Sequence, residues 1–251
     1  MKISVIIPMY NESSIIEDSI NQFHTYMAKT FEDFELIFVD DGSKDGCASF
    51  VQKAEKEKPG VRLVRYEQNR GKGYAVRTGM LAATGDIAMF TDCDIAYGVG
   101  VIKNVYDFFA SDNEKVKNGK GRTSVVVGSR NLTKDGYEGY TFIRKLASKI
   151  YIKVLCITAG FKLSDSQCGM KGFRTDDAKK IFSECETDGF AFDFEVLLTA
   201  KSKGMKIDEI PVKIINHRES KINVLSDTFK MLGDLIKIKR RVKARNKKTT
   251  S

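Results

Sequence analysis

Four short apolar runs, each followed by a stretch with helical spacing, constrain the fold of this chain more than any other feature of it. Ile3–Ile7, Glu35–Val39, Val61–Tyr66 and Ile87–Thr91 read as buried strands, the first stopped by Pro8. Asn11 or Ser13 caps a helix reaching about Thr30, with Ile15, Ile16, Ile20 and Phe23 on its apolar face. A second helix covers 45–57, and a third opens at the glycine-containing turn Asn69–Gly73 and runs to about Ala83. This rhythm predicts right-handed crossovers and an α/β fold, a mainly parallel sheet with flanking helices. Ligands of such sheets bind beyond the carboxyl ends of the strands. Pro8–Tyr10, Asp40–Asp41 and Asp92–Asp94 all fall there.

Downstream, Ile102–Ala110 reads as a helix, Asn113–Arg122 as a charged surface loop and Ser124–Gly128 as a strand ending at Ser129-Arg130. Phe142–Thr158 has helical spacing, Ser164–Phe173 is loop-like, and Thr175–Phe182 and Phe192–Lys203 are helices. Ile207–Ile215 is a strand interrupted by Pro211, followed by a helix at 224–239 and a frayed polar tail. At 251 residues the chain suits one large domain with at most an appended segment, divided here as 1–222 and 223–251.

The net charge of +9 sits mostly at the end of the chain, where residues 237–251 carry eight Lys or Arg and no acid. Without them the body is close to neutral, which disfavours a nucleic-acid binder. Five scattered cysteines with no CxxC pair argue against a disulfide framework or a thiolate zinc site and favour a reducing compartment. Two histidines are too few for an imidazole metal cluster. The N-terminus lacks the pattern of a signal peptide, and no apolar run approaches the ~20 residues that span a bilayer.

Asp92 and Asp94, one residue apart at a strand end, are hard oxygen ligands suited to Mg²⁺ or Mn²⁺ shared with a substrate's phosphates. Taken alone, two solvated aspartates in a polar turn explain the pattern better. Asp40-Asp41-Gly42-Ser43 stands at another strand end, where a carboxylate can accept from a base N–H; an Asx-turn accounts for Ser43 but not for two adjacent acids. Arg70-Gly71-Lys72-Gly73 can set a cation and backbone N–H groups near phosphate at a helix N-terminus, and a simple turn explains its glycines equally well.

Read together, these strings resemble a known family. Val5-Ile6-Ile7-Pro8-Met9-Tyr10-Asn11-Glu12, Val39-Asp40-Asp41-Gly42-Ser43-Lys44-Asp45, Asn69 to Met80 and Thr91-Asp92-Cys93-Asp94 resemble the nucleotide-binding half of glycosyltransferase family 2. Gly128-Ser129-Arg130, Asp165 to Phe173, Ala191 to Glu195 and His217 to Lys221 are similar to its dolichyl-phosphate glucosyl- and mannosyltransferase branch. The resemblance covers roughly residues 3–240 and implies a GT-A (Rossmann-like) catalytic domain over 1–222 that inverts the anomeric centre. It places Pro8, Tyr10, Glu12 and Asp40 around base and ribose, and Asp92 and Asp94 at ribose, diphosphate and metal. Arg130 and Arg144 match the arginines that hold an acceptor phosphate, which forked guanidinium donors suit. Lys171, Arg218 and Lys221 are further anion-binding candidates. The mannosyl branch has a glutamine ligand where this chain has Ala96, which thins the metal shell and favours UDP-glucose over GDP-hexose as donor.

The implied partners are a nucleotide sugar, a polyprenyl or dolichyl monophosphate and a membrane surface contacted peripherally from the cytoplasm, with a homodimer left open and a role in cell-envelope or glycoprotein glycosylation. A polyprenyl phosphate is already anionic and needs no strong base; a sugar-hydroxyl acceptor on a polysaccharide would need one, and Asp165 or Asp193 would serve. Helix 142–158 and the basic tail would meet anionic lipid, or else pack on the core and solubilise the terminus. A sugar-nucleotide pyrophosphorylase lacks its glycine-rich loop here, and neither GxGxxG nor GxxxxGK[ST] follows the first strand, against a dehydrogenase or P-loop NTPase.

Overall fold

The computed structural model describes residues 1–136, 160–216 and 224–249. Strands β1 (Ile3–Met9), β2 (Phe34–Asp41), β3 (Val61–Tyr66) and β4 (Ile87–Phe90) alternate with helices α1 (Ile16–Thr30), α2 (Cys47–Glu57) and α3 (Lys72–Ala82). Helix α4 (Val101–Lys117), β5 (Thr123–Ser129), a short 3₁₀ turn at Arg130–Leu132, β6 (Lys171–Arg174), α5 (Thr175–Phe182), α6 (Phe192–Ser202), β7 (Lys206–Pro211) and α7 (Val224–Thr249) complete the chain. The seven strands form one sheet in the order β3-β2-β1-β4-β6-β5-β7. All neighbouring pairs are parallel except those of β6, which runs antiparallel to both β4 and β5.

The apolar runs are continuous because both faces of the sheet are covered. Ile3, Val5 and Ile7 of β1, Leu36 and Phe38 of β2, and Ile87 and Met89 of β4 pack into one core with Ile16, Phe23, Val51, Ile102 and Phe109. The intervening Ile6, Ile37, Val39, Ala88 and Phe90 enter a second core with Val76, Met80, Ile181, Val196 and Leu197. Helix α3 approaches the sheet closely at Gly79, where a Cβ would lie 2.5 Å from Ile6 Cγ2 and 2.9 Å from Val39 Cγ2. Alanine normally gains about 1 kcal/mol over glycine inside a helix. Here the overpacking cost of about 1–3 kcal/mol outweighs that gain. Gly79→Ala is therefore expected to lower the urea midpoint, and a raised midpoint would contradict this packing.

Several elements depart from the sequence reading. β6 occupies what reads as a loop: it is four residues long and opens on Lys171, whose burial no alternation announces. α4 continues to Lys117 through residues expected in a surface loop, because Asp112 is buried and accepts from Arg174 (2.7 Å) and from the Thr123 backbone (3.0 Å). β7 stops at Pro211, which has no N–H to extend the ladder. α7 runs ten residues past its expected end at 239. Beyond 239, Val242 continues the buried stripe of Leu235 and Ile238 against Ala191 and Phe194, and Arg241 and Arg245 pair with the buried Glu195. The expected helix at 142–158 lies outside the described residues.

Candidate active site

A cleft of about 390 Å³ opens over the carboxyl ends of β1, β2 and β4, lined among others by Pro8, Tyr10, Glu12, Asp41, Lys72, Asp92, Asp94 and Phe190. Tyr10 and Phe190 stand at it as large exposed aromatics. Asn11 adopts a left-handed φ of 52°, which asparagine tolerates, and ties the end of β1 to that of β2. Its Oδ1 accepts from Lys44 N (3.0 Å) and its N–H donates to Ser43 Oγ (2.9 Å).

Asp40 and Asp41 point to opposite sides because successive strand residues do. Asp40 is fully buried, accepts from Ser43 N (3.0 Å) and lies 3.1 Å from the Arg65 guanidinium. Asp41 is the acid that lines the cleft. Its two oxygens accept from Tyr66 Oη, Arg70 N, Asn69 Nδ2 and Gly71 N, each at 2.8 Å, so it shapes the turn before α3. Four amides in and after that turn are engaged within the protein. Arg70 N and Gly71 N go to Asp41, while Gly73 N and Tyr74 N donate to the Asp188 carbonyl at 2.8 and 3.3 Å. Gly71 has φ 103°, and Cβ atoms at Gly71 and Gly73 would meet Asp188 O at 2.6 Å and Thr187 O at 2.4 Å. The glycines are there for the close approach of the 187–188 backbone.

What the turn does present is Lys72. Its Nζ lies 2.5 Å from Asp92 Oδ1, both side chains about a quarter exposed. Burial works against the ammonium, but Asp92, with Asp193 and Asp94 beyond, raises its pKa, so it stays charged. On the other side of Asp92, a Cβ at Gly169 would fall 2.3 Å from Oδ2, so only glycine lets the 165–170 segment pack there. Asp94 Oδ1 accepts from Ala96 N (3.1 Å). Ile95 between them has φ 54°, a rare conformation for a β-branched residue and one that costs about 1–3 kcal/mol. The turn is held by Ile95 N to Asp92 O (3.2 Å), by Asn216 Nδ2 to Ile95 O (3.2 Å) and by Ile215 N to Ala96 O (2.8 Å). Burial pushes the Cys93 thiol up to about 12, so at neutral pH it is an uncharged part of the cleft wall.

Two carboxylates, with no further group of three or more His, Cys, Asp or Glu among the described residues, make a sparse cation site. Such a donor set fits Mg²⁺ or Mn²⁺, which keep waters and take substrate phosphate oxygens. Lys72 lies against Asp92, and Asp94 lines the same cleft a residue beyond it.

The remaining candidates divide. Arg130 is buried and makes a forked pair with fully buried Asp165, Nε to Oδ2 at 2.6 Å and Nη2 to Oδ1 at 2.9 Å. Lys171 has no exposed surface; its Nζ donates to Asp193 Oδ1 (2.6 Å) and to Cys168 O (2.8 Å). Burial raises the Asp193 pKa more than the neighbouring Lys171 lowers it. Of the five cations named for an acceptor anion, Arg130 and Lys171 are thus each paired with an internal carboxylate, which an anion would have to share. Arg144, Arg218 and Lys221 lie outside the described residues. Of the acids at 40 and 41 the sequence reading gave the nucleotide to Asp40, whereas Asp41 lines the cleft; Phe190 was not singled out. The doubled acid at 40–41 was the available signal for Asp41, and a lone aromatic after Gly189 gave none for Phe190.

The glycosyl transferase family 2 model matches residues 4–182. Among curated proteins, the dolichyl-phosphate beta-glucosyltransferase of Dictyostelium discoideum is 31% identical over 249 residues, covering 94% of this chain and 73% of that protein. The enzyme of the same name from Saccharomyces cerevisiae is 30% identical, covering 94% and 74%. That from Homo sapiens is 28% identical, covering 96% and 75%. Among solved structures, glucosyl-3-phosphoglycerate synthase from Mycobacterium tuberculosis, in complex with Mn²⁺, UDP and phosphoglyceric acid, superposes with a TM-score of 0.67 at 20% identity, covering 96% and 78%. That likeness carries the fold, and the sequence matches carry the family. The chain belongs to glycosyltransferase family 2 and is a nucleotide-sugar-dependent glycosyltransferase with the GT-A fold.

Proposed function

We propose that the protein transfers glucose from UDP-glucose, with inversion, to a polyprenyl monophosphate of the dolichyl type. The observation that carries the reading is one cleft in which Lys72, Asp92 and Asp94 converge beyond the strand ends, in a chain about 30% identical over most of its length to dolichyl-phosphate beta-glucosyltransferases. Tyr10, Glu12, Pro8 and Asp41 form the base and ribose end, with Asp40 buried behind them. Lys72 faces the diphosphate. Asp94, with Asp92, would hold a divalent ion, whose chemistry is to neutralise charge on the departing nucleotide.

The engagement of the two acids named as bases supports a phosphate acceptor over a sugar hydroxyl. Asp165 is committed to Arg130 and Asp193 to Lys171, each through a buried ion pair. A phosphate acceptor needs no deprotonation, so alignment and charge stabilisation suffice. Arg144, Arg218 and Lys221 are the cations proposed to meet that phosphate. Among the described residues no helix is long and apolar enough to cross a membrane. Exposed Lys237, Lys239, Arg240 and Lys243 on α7 support peripheral contact with anionic lipid, about 1 kcal/mol for each charge near the surface.

The test offers purified protein UDP-glucose or GDP-mannose with Mg²⁺ or Mn²⁺, against dolichyl phosphate, undecaprenyl phosphate, 3-phosphoglycerate and soluble oligosaccharides. Glucolipid formed from UDP-glucose is the expected product. Transfer to 3-phosphoglycerate or to a sugar hydroxyl, with none to either lipid, would overturn the acceptor.

A further inference from the structure

The basic end of the chain does more than face solvent. Arg241 and Arg245 lie one helical turn apart on α7 and both turn inward onto Glu195, a carboxylate with no exposed surface in the first turn of α6. Arg241 Nη2 lies 2.9 Å and Arg245 Nη2 2.7 Å from Glu195 Oε1. The other oxygen, Oε2, accepts from the backbone N–H of Glu186 (3.0 Å) and Thr187 (2.7 Å). Arg241 also donates to Thr187 Oγ1 (2.7 Å) and Glu186 Oε2 (3.2 Å), and Arg245 to the Glu184 carbonyl. Burial opposes charge on Glu195, yet the Thr187 and Glu186 amides and Arg241 hold its pKa below the usual carboxylate range.

The segment fixed in this way is the one that closes the start of α3. The Asp188 carbonyl accepts from Gly73 N and Tyr74 N. The Asp188 carboxylate binds Arg77 (2.8 Å) and Arg70 (3.3 Å) on either side of Lys72. Phe190, two residues on, lines the cleft.

We propose that Arg241 and Arg245 are positioning residues for the donor pocket: through Glu195 they pin residues 184–188 against the N-terminus of α3 and so fix where Lys72 and Phe190 stand. A helix that carries surface charge on one side is thereby tied on its other side to the loop that meets the nucleotide. The role rests on reading the cleft as the donor site, whereas the pinning itself is measurable in ligand-free protein.

In ligand-free Arg241→Ala/Arg245→Ala protein, hydrogen exchange of the Gly73 and Tyr74 amides is expected to speed up roughly tenfold, with β1 and β2 amides unchanged. In transfer assays the KM for UDP-glucose should rise by roughly the same factor while that for the polyprenyl phosphate stays put. The lysine pair, Arg241→Lys/Arg245→Lys, should recover part of both effects, since it keeps the charges but not the forks. Should the double alanine variant fail to fold, Glu195→Gln keeps the shape and is measured the same way. Unchanged exchange at Gly73 and Tyr74 overturns the proposal, as does a KM effect confined to the acceptor. A protein that shows the exchange response yet never uses UDP-glucose keeps the pinning and refutes the donor assignment alone.

Discussion

Asp94→Ala is expected to cut kcat/KM for glucosyl transfer by about 10³-fold while leaving the thermal midpoint near that of the wild type. Removing one group that stabilises transition-state charge typically costs 10²–10³-fold, and loss of a metal ligand adds to that. A factor of 10³ corresponds to about 4 kcal/mol of lost stabilisation. Asp94 lines the cleft beside Asp92, and the two carboxylates are the oxygen ligands proposed for the ion. Chelation of divalent ions should reduce the wild type to the level of the variant and leave the variant itself unaffected. Full transfer by Asp94→Ala, or a chelator effect that persists in it, would remove Asp94 from the reaction centre.

The largest stability effect is expected at Asp165. Its fully buried carboxylate takes both prongs of the Arg130 fork, the Arg130 N–H (3.2 Å) and Gln167 N (3.2 Å). Breaking a buried pair by removing one partner costs about 3–5 kcal/mol, because the survivor stays desolvated and uncompensated. At about 2–4 °C per kcal/mol for a chain of this size, Asp165→Ala should lower the midpoint by about 10 °C. Replacing both partners with apolar residues, Arg130→Met with Asp165→Leu, should recover much of the loss. Calorimetry of the two variants beside their transfer rates separates two roles for Arg130. If the double variant regains stability but not transfer, Arg130 serves the acceptor. If it regains both, the pair is scaffold alone.

The parts of the fold legible in the sequence were those in which burial on two faces writes an uninterrupted apolar run. β1, β2, β3 and β4 follow the runs closely. β6 was not legible because a buried Lys171 needs a partner, Asp193, that lies 22 residues away. The extension of α4 depended in the same way on Asp112 meeting Arg174. At the site, the strand-end acids were visible as motifs, but which acid of the pair at 40–41 faces the cleft was not. The glycines at 71 and 73 were visible too, but not their purpose. They admit the carbonyls of Thr187 and Asp188, a contact between distant segments that leaves no local pattern.

The placement of β6 bears on how this protein is made. A ribosome releases β1 to β4 first, and these four can associate in the order β3-β2-β1-β4 without waiting for anything downstream. β5 emerges next with no place to go, since both its neighbours, β6 and β7, are still unmade. Until β6 arrives, β4 and β5 each present an unpaired, apolar edge, the kind of surface that recruits wrong partners. The strand that joins the two halves of the sheet is thus made after both of its partners, whose edges stay open in the nascent chain until residue 171 has emerged.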